Sequence, residues 1–520
     1  MPLPITRFVR VLSILLVFAA PNAFAEVKLS ALFSDNMVLQ RGAKVSIWGN
    51  ADPGEQVRVT LGKEQASAAA GDNGEWKVQI GPLQAGGPFE MTIAGKNTVR
   101  IQNVLVGEVW LCSGQSNMEM AVGNGRRAWG GVQNAAGEIA AGNYPMIRQF
   151  KVEKSVSGKP QAEVQGQWLV ATPETVGEFS AVAYFFGRGL FKALKVPVGL
   201  IHSSWGGTPA ESWTSPPALL AEPELASMAR DWEKKIADYP QALADYQKNL
   251  DEWNRSSQQA EAAGKPTPSA PQFPADPRSN SWRPSGLYNA MIAPLIPFAI
   301  RGAIWYQGES NAGRAYQYRK LFPAMIRDWR SAWGEGDFPF LFVQLASFIQ
   351  EWSPQTSWAE LREAQSMTLS LPNTGMAVAA DIGDPYDIHP KNKQEVGRRL
   401  ALAAQGIAYG KDVVYSGPMY ESMTAEGDKV RLRFKDAGSG LKAQGPLVGF
   451  EIADEDRKFH AAEARIEGET VVVRSSEVSH PVAVRYAWAD NPTCSLYNKE
   501  GLPASPFRTD DWPGVTEETR

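Results

Sequence analysis

Five apolar stretches, each ending in small or polar residues, constrain the fold of this chain most. They lie between Gly107 and Asp384 and read VWLCSGQSN, VPVGLIHSSWGG, IRGAIWYQGESN, FPFLFVQLA and TGMAVAADIGD, with helical patterns between them. Continuous apolar runs of this kind are typical of parallel strands that are buried on both faces. We therefore expect an α/β domain with a mainly parallel sheet over residues 107–408, and functional groups just past the carboxyl ends of its strands.

The regions on either side of this sheet show the shorter alternation of β-structure. Over residues 26–106, runs such as QVRVTLG and EWKVQIG are separated by turn signals such as ADPGE and GDNG, which predicts an N-terminal β-sandwich. A similar pattern over residues 409–520, in KVRLRFKDAG and VAVRYAWAD, predicts a C-terminal β-rich domain of the same type.

An insertion at about residues 221–283 interrupts the α/β pattern. Its first part is charged, has apolar residues at helical spacing and is interrupted at Pro240, so it predicts two helices. The Pro-rich GKPTPSAPQFPADPRS that follows predicts an extended strap. We expect this insertion to shape the approach to any site on the domain.

The first 25 residues predict export. Arg7 and Arg10 precede an apolar run from Val11 to Ala20, and Ala23-Phe24-Ala25 has the small residues of a cleavage site. The apolar run is too short for a membrane span, which needs roughly 20 residues. We therefore expect a signal peptide over residues 1–25 and a periplasmic or extracellular mature protein.

The charge balance and the cysteines limit the classes of partner. Acidic and basic residues number 56 and 52, giving a net charge of -4, so nothing indicates binding to nucleic acid or to an anionic membrane. The sequence leaves open whether Cys112 and Cys494 form a disulfide, although the apolar run around Cys112 favours a buried thiol. No cluster has the ligand spacing of a zinc or EF-hand site, and the oligomeric state cannot be read from the sequence.

Ser116, in LCSGQSNMEM, is the candidate nucleophile. A hydroxyl becomes reactive when a base takes its proton and nearby dipoles stabilise the oxyanion that forms, but a serine in this place could also simply cap a helix. Among the four histidines, His460 and His480 lie in contexts of exposed turns or strand edges, and His202 fits a structural role better than that of a base. His389 follows an acidic loop at the start of an amphipathic helix and is the best candidate base.

Four ordered blocks, GQSNM, WGGTPAESW, WYQGESNA and DIHPKNKQEVGRRLA, resemble the successive blocks of the SGNH hydrolases. More narrowly, they resemble the sialate O-acetylesterase-like enzymes, a group that includes acetylesterases of plant cell-wall polysaccharides. FSDNMVLQR and GLPASPFRTD extend the resemblance over essentially the whole mature chain. It implies a three-layer SGNH-hydrolase domain and a serine esterase that removes O-acetyl groups from sialic acid or from a polysaccharide such as xylan or xyloglucan, without metal or cofactor. The alternative is a non-catalytic carbohydrate-binding protein that uses its aromatic residues as sugar platforms.

Carried over residue by residue, the resemblance implies Ser116 as nucleophile and His389 as base. It also implies an oxyanion hole made by the Ser116 N–H, by an N–H of the Trp205-Gly206-Gly207 turn and by a side-chain amide of YQGESN. Gly207 is preferred over Gly206 in that turn, and Gln307 is preferred as the amide. The residues expected around the substrate are Gln115, Asn117, Trp205, Glu309 and Asn311.

The position of the triad acid departs from the family pattern. SGNH enzymes have D-x-x-H, but Tyr386 occupies the acid position here. Asp387 is one residue too close to the histidine, and Asp384 and Asp381 are farther back. Either one of these acids reaches the imidazole, with Asp387 as our choice, or a backbone carbonyl orients the ring in a Ser-His dyad. The acids could also serve only to solvate the loop or cap the helix.

Overall fold

The computed structural model describes residues 26–124 and 130–519. The predicted signal peptide over residues 1–25 therefore lies outside the described residues. Within them, no helix combines the length and the apolar character needed to cross a membrane.

The N-terminal region consists of short strands in two sheets. β1, β3 and β6 form an antiparallel sheet, and β4, β5 and β7 join the first half of β8 in the other. Alternating buried and exposed positions along β4 and β6 point the apolar side chains inward, as in a sandwich. The bounds are β1 (Lys28–Leu29), β2 (Val38–Gln40), β3 (Val45–Asn50), β4 (Gln56–Leu61), β5 (Glu64–Ala69), β6 (Glu75–Ile80), β7 (Gly86–Ala94) and β8 (Thr98–Gly114).

β8 belongs to two sheets. Its first half pairs with β7, and its second half, from Glu108 to Gly114, is the middle strand of the central sheet. The boundary expected at Gly107 thus falls inside one continuous strand, and one apolar core extends across both regions. The sequence patterns differ on the two sides of Gly107 because β8 is half exposed in the first sheet and buried on both faces in the second.

The central sheet has the strand order β10-β9-β11-β8-β12-β13-β14. All neighbours are parallel except β10, an antiparallel edge strand, so the predicted α/β class with a mainly parallel sheet is confirmed. The further strands are β9 (Tyr144–Val152), β10 (Gly166–Ala171), β11 (Val198–Ser204), β12 (Gly302–Tyr306), β13 (Phe340–Gln344) and β14 (Thr374–Val378). The helices are α1 (Ser116–Glu119), α2 (Ala135–Ala140), α3 (Ala181–Leu194), α4 (Pro216–Ala221), α5 (Pro223–Ala262), α6 (Ala315–Trp333), α7 (Ser357–Met367) and α8 (Lys393–Ile407).

Two tryptophans show that helices cover both faces of this sheet. Trp110 on β8 packs against Phe186 of α3, at 5.0 Å between ring centroids. Trp305 on β12 packs against Trp329 of α6, at 5.7 Å. Trp305 lies opposite Ser113 in the register, and because side chains alternate along a strand, Trp110 and Trp305 point to opposite faces. The domain is therefore three-layered, with α8 packed beside α3 and α7 beside α6.

The insertion differs from the two helices expected from its sequence. α5 is one helix of 40 residues that continues through Pro240. Pro240 cannot donate a hydrogen bond to Ile236, but it lies on the exposed side of the helix, where water can reach the unbonded carbonyl. The proline therefore does not end the helix.

The Pro-rich strap runs back along α5. Indole N–H groups of Trp253 and Trp232 donate to the carbonyls of Pro268 and Pro277 at 2.8 and 3.0 Å. An extended Pro-rich chain has no internal hydrogen bonds, so these aromatic donors supply partners for it. The strap returns the chain from the tip of the arm to the central domain.

The C-terminal region forms a second core against the central domain. Its strands are β15 (Met419–Glu426), β16 (Lys429–Lys435), β17 (Leu441–Ala443), β18 (Phe450–Ala453), β19 (His460–Ala461), β20 (Glu463–Glu467), β21 (Thr470–Arg474), β22 (Ala483–Tyr486), β23 (Leu496–Asn498) and β24 (Phe507–Arg508). Arg362 of α7 is fully buried and donates to the carbonyls of Ala489 and Asp490 at 2.7 and 2.8 Å, which ties this region to the central domain. Cys112 and Cys494 are both free thiols, and Cys112 is buried as expected.

Candidate active site

Three strands of the central sheet end at the same level. Gly114 at the end of β8 lies opposite Ser204 at the end of β11 and opposite Tyr306 at the end of β12. A Cβ on Gly114 would lie 2.1 Å from the Tyr306 carbonyl oxygen, and its φ is 141°, so this position requires glycine. The three loops that carry the first three sequence blocks therefore start side by side.

Ser116 is the first residue of α1, directly after this edge. The N-cap of α1 is Gln115, so the serine does not cap the helix. The residue is 8% exposed and lines a cavity of about 590 Å³ that His389 and Gly207 also line. In the described part of the chain, the Ser116 N–H has no protein acceptor, as expected in the first turn of a helix.

In the turn after β11, the N–H groups of Gly206 and Gly207 differ in their hydrogen bonding. Gly206 donates its N–H to Glu119 at 2.6 Å, and Glu119 also pairs with Lys154 at 2.6 Å. Gly207 lines the cavity with a φ of 76°, and within residues 26–124 and 130–519 no acceptor is found for its N–H. Of the two amides, the one on Gly207 is thus open to a ligand.

His389 lies in the same cavity with its side chain 13% exposed. Burial and, after it, the Lys393 ammonium lower the pKa of His389 to about 4, against the opposing effect of Asp387. The imidazole is therefore neutral at neutral pH and able to accept a proton. The other buried histidine, His202, bonds Ser204 Oγ at 2.6 Å, and burial lowers its pKa to about 3, in keeping with a structural residue.

The three aspartates before His389 have different environments. Asp381 forms a buried two-point ion pair with Arg399 at 2.6 and 2.8 Å. Asp384 accepts the N–H groups of residues 386 and 387 and so shapes the loop. Tyr386, in the position of the family acid, is 88% exposed.

Asp387 is the aspartate beside the imidazole. Its Oδ1 accepts the His389 backbone N–H at 2.8 Å and lies 3.7 Å from His389 Nδ1. Burial raises the pKa of Asp387, but the His389 N–H and the Lys391 ammonium, whose Nζ is 3.2 Å from Oδ2, hold it below its ordinary value. The carboxylate is thus ionised and near the ring, at a distance longer than a hydrogen bond.

Gln307, the preferred side-chain donor, has its amide bonded inside the protein. It is fully buried behind the cavity, and its Nε2 donates to Asn311 Oδ1 at 2.6 Å and to the Thr208 carbonyl at 3.3 Å. Its Oε1 accepts the Tyr318 hydroxyl at 3.0 Å. Asn311 is equally engaged, because its Nδ2 donates to Glu211 at 2.9 Å. Both amides hold the turn in shape, and neither lines the cavity.

Gln115 is the side-chain amide that does line the cavity. Its Oε1 accepts the N–H groups of Gly308 and Ser310 at 3.3 and 3.4 Å, which fixes the orientation of the amide. Across the described chain, its Nε2 donates to no protein acceptor. Glu309 also lines the cavity, whereas Trp205 lies outside the described lining, with its ring under the Lys154 ammonium at 5.2 Å.

Asn117 joins the loops of the site. Its Nδ2 donates to Glu309 Oε1 at 2.6 Å and to the Ile388 carbonyl at 2.9 Å, next to His389. Its Oδ1 accepts from Lys393 Nζ at 2.5 Å. Asn117 is fully buried, so its expected contact with substrate is replaced by a role inside the protein.

Lys393 was not predicted from the sequence. It is fully buried, and burial lowers its pKa to about 7, against the raising effects of Glu309 and Asp387. Burial also raises the pKa of Glu309, whose Oε2 has no hydrogen-bond partner in the described structure. The only sequence signal for Lys393 is its place four residues after the histidine, on the first turn of α8, where an exposed lysine would look the same.

The described residues contain no group of three or more histidine, cysteine or carboxylate side chains arranged to hold a metal ion.

Replacing Asn117 with alanine tests its role in joining the loops. We expect Asn117→Ala to lower the free energy of unfolding by about 3 kcal/mol, because buried polar groups of Glu309, Lys393 and Ile388 lose their partner. The measurement is urea unfolding followed by circular dichroism. The control is Asn124→Ala, at an exposed asparagine after the same helix, and equal stability of the two variants would contradict the role of Asn117.

Comparisons with known proteins identify relatives of this chain. Residues 278–406 match the family model described as "Carbohydrate esterase, sialic acid-specific acetylesterase". The chain is 33% identical to the sialate O-acetylesterase of Rattus norvegicus, over 92% of this chain and 93% of that protein. It is 32% identical to the human sialate O-acetylesterase, over 96% of each.

A solved structure is also similar over nearly the whole chain. It is the crystal structure of a carbohydrate acetylesterase from Xanthomonas citri, with 40% identity, a TM-score of 0.78, and coverage of 94% of this chain and 100% of that one. The family expected from the four sequence blocks is thereby confirmed. The chain belongs to the sialate O-acetylesterase family of carbohydrate esterases.

Proposed function

We propose that this protein is a serine esterase that removes O-acetyl groups from a carbohydrate through an acetyl-enzyme intermediate. The observation that carries the proposal is the cavity that Ser116 and a neutral His389 share with the open N–H of Gly207. Family membership supports the carbohydrate ester as the class of substrate.

The reaction has two halves. Ser116 Oγ attacks the acetyl carbonyl carbon while His389 takes the hydroxyl proton, and the tetrahedral oxyanion forms. The bond to the sugar oxygen then breaks, and His389 returns the proton to the departing hydroxyl. Water, deprotonated by His389, attacks the acetyl-serine, and acetate leaves as the proton goes back to Ser116.

The oxyanion is bound by the N–H groups of Ser116 and Gly207 and by Nε2 of Gln115. Gln115 takes the place of Gln307 in this proposal because Gln115 lines the cavity and its Nε2 has no acceptor in the described chain, whereas both partners of Gln307 Nε2 lie in the core. Donors already in position need no reorganisation when the charge develops, which is the main source of catalysis in such sites.

Asp387 orients His389 in the proposed mechanism. The hydrogen bond from the His389 N–H to Oδ1 fixes the turn, and the 3.7 Å between Oδ1 and Nδ1 is short enough for the carboxylate to stabilise the imidazolium that forms. The tightening of this contact when substrate binds would complete a Ser-His-Asp triad.

The described lining of the cavity contains no lysine or arginine. A sialic acid carries a carboxylate, which would meet Glu309 here without a cation as partner, whereas acetylated xylan and xyloglucan present neutral sugars. We therefore propose a neutral acetylated sugar as the preferred substrate.

Acetate release tests the function and the preference together. We expect the wild-type protein to release acetate from acetylated xylan with a higher kcat/KM than from 9-O-acetylated sialic acid, and Ser116→Ala to release it from neither. If the protein were a non-catalytic carbohydrate-binding protein, neither the wild type nor the variant would release acetate from either substrate. Normal hydrolysis by Ser116→Ala would overturn the nucleophile, and a preference for sialic acid would overturn the neutral substrate.

A pair of alanine variants tests the oxyanion donors. Gln115→Ala should lower kcat on ethyl acetate by about 10²- to 10³-fold, since that is the usual cost of one oxyanion donor. Gln307→Ala should lower the melting temperature, because three core hydrogen bonds are lost, while the folded protein keeps most of its kcat. A large loss of kcat in folded Gln307→Ala, with little loss in Gln115→Ala, would instead identify Gln307 as the oxyanion donor.

We also propose that the protein is exported to the periplasm or beyond. The support is the charged start, the apolar run and the small residues Ala23-Phe24-Ala25 of the sequence. N-terminal sequencing of the protein from the extracytoplasmic fraction should give Glu26 as the first residue. A cytoplasmic protein that retains residues 1–25 would contradict this.

A further inference from the structure

Two tryptophans at the cavity are exposed to solvent. Trp282, at the end of the strap, is 46% exposed, and Trp352, in the loop after β13, is 62% exposed. Both line the cavity that contains Ser116 and His389. Large aromatic side chains are normally buried, as are Trp110, Trp305 and Trp358 in this protein, so exposed ones at a functional cavity indicate a ligand that covers them.

Hydrogen bonds and ring contacts connect the loop of Trp352 to its surroundings. Gln350 accepts the Ser353 N–H at 2.8 Å and donates to Asp490 at 3.1 Å, which closes the loop around Trp352. The indole packs on Phe348 and on the buried Trp358, at 5.4 and 6.3 Å between centroids. The ring is thus in contact with two other aromatic rings, while the residue remains 62% exposed.

The turn of Trp282 is also fixed by hydrogen bonds. The Trp282 N–H donates to Asn280 Oδ1 at 2.8 Å, and the Arg283 N–H donates to the Asn280 carbonyl at 3.0 Å. Just after this turn, the Ser285 N–H donates to the Glu211 carbonyl at 2.9 Å and so anchors the strap to the central domain. Because the Trp352 indole packs on neighbouring rings and the backbone at Trp282 is hydrogen-bonded, binding to these side chains costs less conformational entropy than ordering two free loops would.

We propose that Trp282 and Trp352 form a platform that binds the C–H face of the pyranose ring carrying the acetyl ester. This inference rests on the proposed function and gives its sugar-binding subsite. A pyranose with equatorial substituents presents a face of C–H groups, whose weak positive charge suits the negative face of an indole. The ring hydroxyls stay at the edge, where water or polar groups reach them. The platform therefore selects esters of pyranoses over simple alkyl acetates.

A comparison of two acetyl esters tests the platform. β-D-glucose pentaacetate presents the C–H faces of a pyranose, and ethyl acetate has no ring. We expect Trp352→Ala and Trp282→Ala each to raise KM for glucose pentaacetate about tenfold, the size of one good aromatic contact, and to leave kcat on ethyl acetate within about twofold of wild type. Trp352→Phe should restore most of the loss. Phe273→Ala, at an aromatic residue that is 64% exposed but lies outside the lining of the cavity, is the control and should change neither substrate.

Several results would overturn the platform. Equal losses on both esters would show that the tryptophans only support the fold, which a lowered melting temperature would corroborate. Unchanged kinetics on glucose pentaacetate in both alanine variants would show that no platform exists. Wild-type hydrolysis of ethyl acetate but not of the pyranose ester would overturn the platform alone, whereas hydrolysis of neither would overturn the proposed function as well.

Discussion

The site depends on the shared level at which three parallel strands end. Gly114, Ser204 and Tyr306 lie side by side, and the close approach of Gly114 to the Tyr306 carbonyl leaves no room for a side chain. A shift of one residue in this register would turn each following side chain to the other face of the sheet. The turns that follow β8, β11 and β12 carry Ser116, Gly207 and Gln307. The backbone register alone positions these turns relative to one another, independently of their side chains.

The fourth loop, which carries His389, is not held by that register. It is joined to the others by polar side chains in the interior, with Asn117 between Glu309, Lys393 and the Ile388 carbonyl. Buried polar groups of this kind are costly when unpaired and well determined when paired, so they fix geometry more than they add stability. Asn117, the residue after Ser116, thus helps to fix the position of His389.

The sequence predicted the elements that have strong local signals. Buried parallel strands are continuous apolar runs, and the turns after them are rich in glycine, so the α/β class and the positions of Ser116, Gly207 and His389 at one sheet edge could be expected. The sequence could not separate Gln307 from Gln115, because their amides are chemically equivalent and only the three-dimensional structure shows that the amide of Gln307 is bonded inside the protein. Pro240 was read as a break because the sequence does not show which side of a helix faces water. Lys393 and the two exposed tryptophans gave no signal, since burial and exposure are tertiary properties.

The long-range pairing of the site has a consequence for folding. Asn117 meets Glu309 across 192 residues and Ile388 across 271, so none of these contacts is local. Closing such loops costs entropy that is recovered only when the intervening strands are in place. A chain synthesised only as far as β11 contains Ser116 but neither Glu309 nor His389. The nucleophile is therefore synthesised long before its base, and the contacts that join the two loops can form only when residues as far as Ile388 are present.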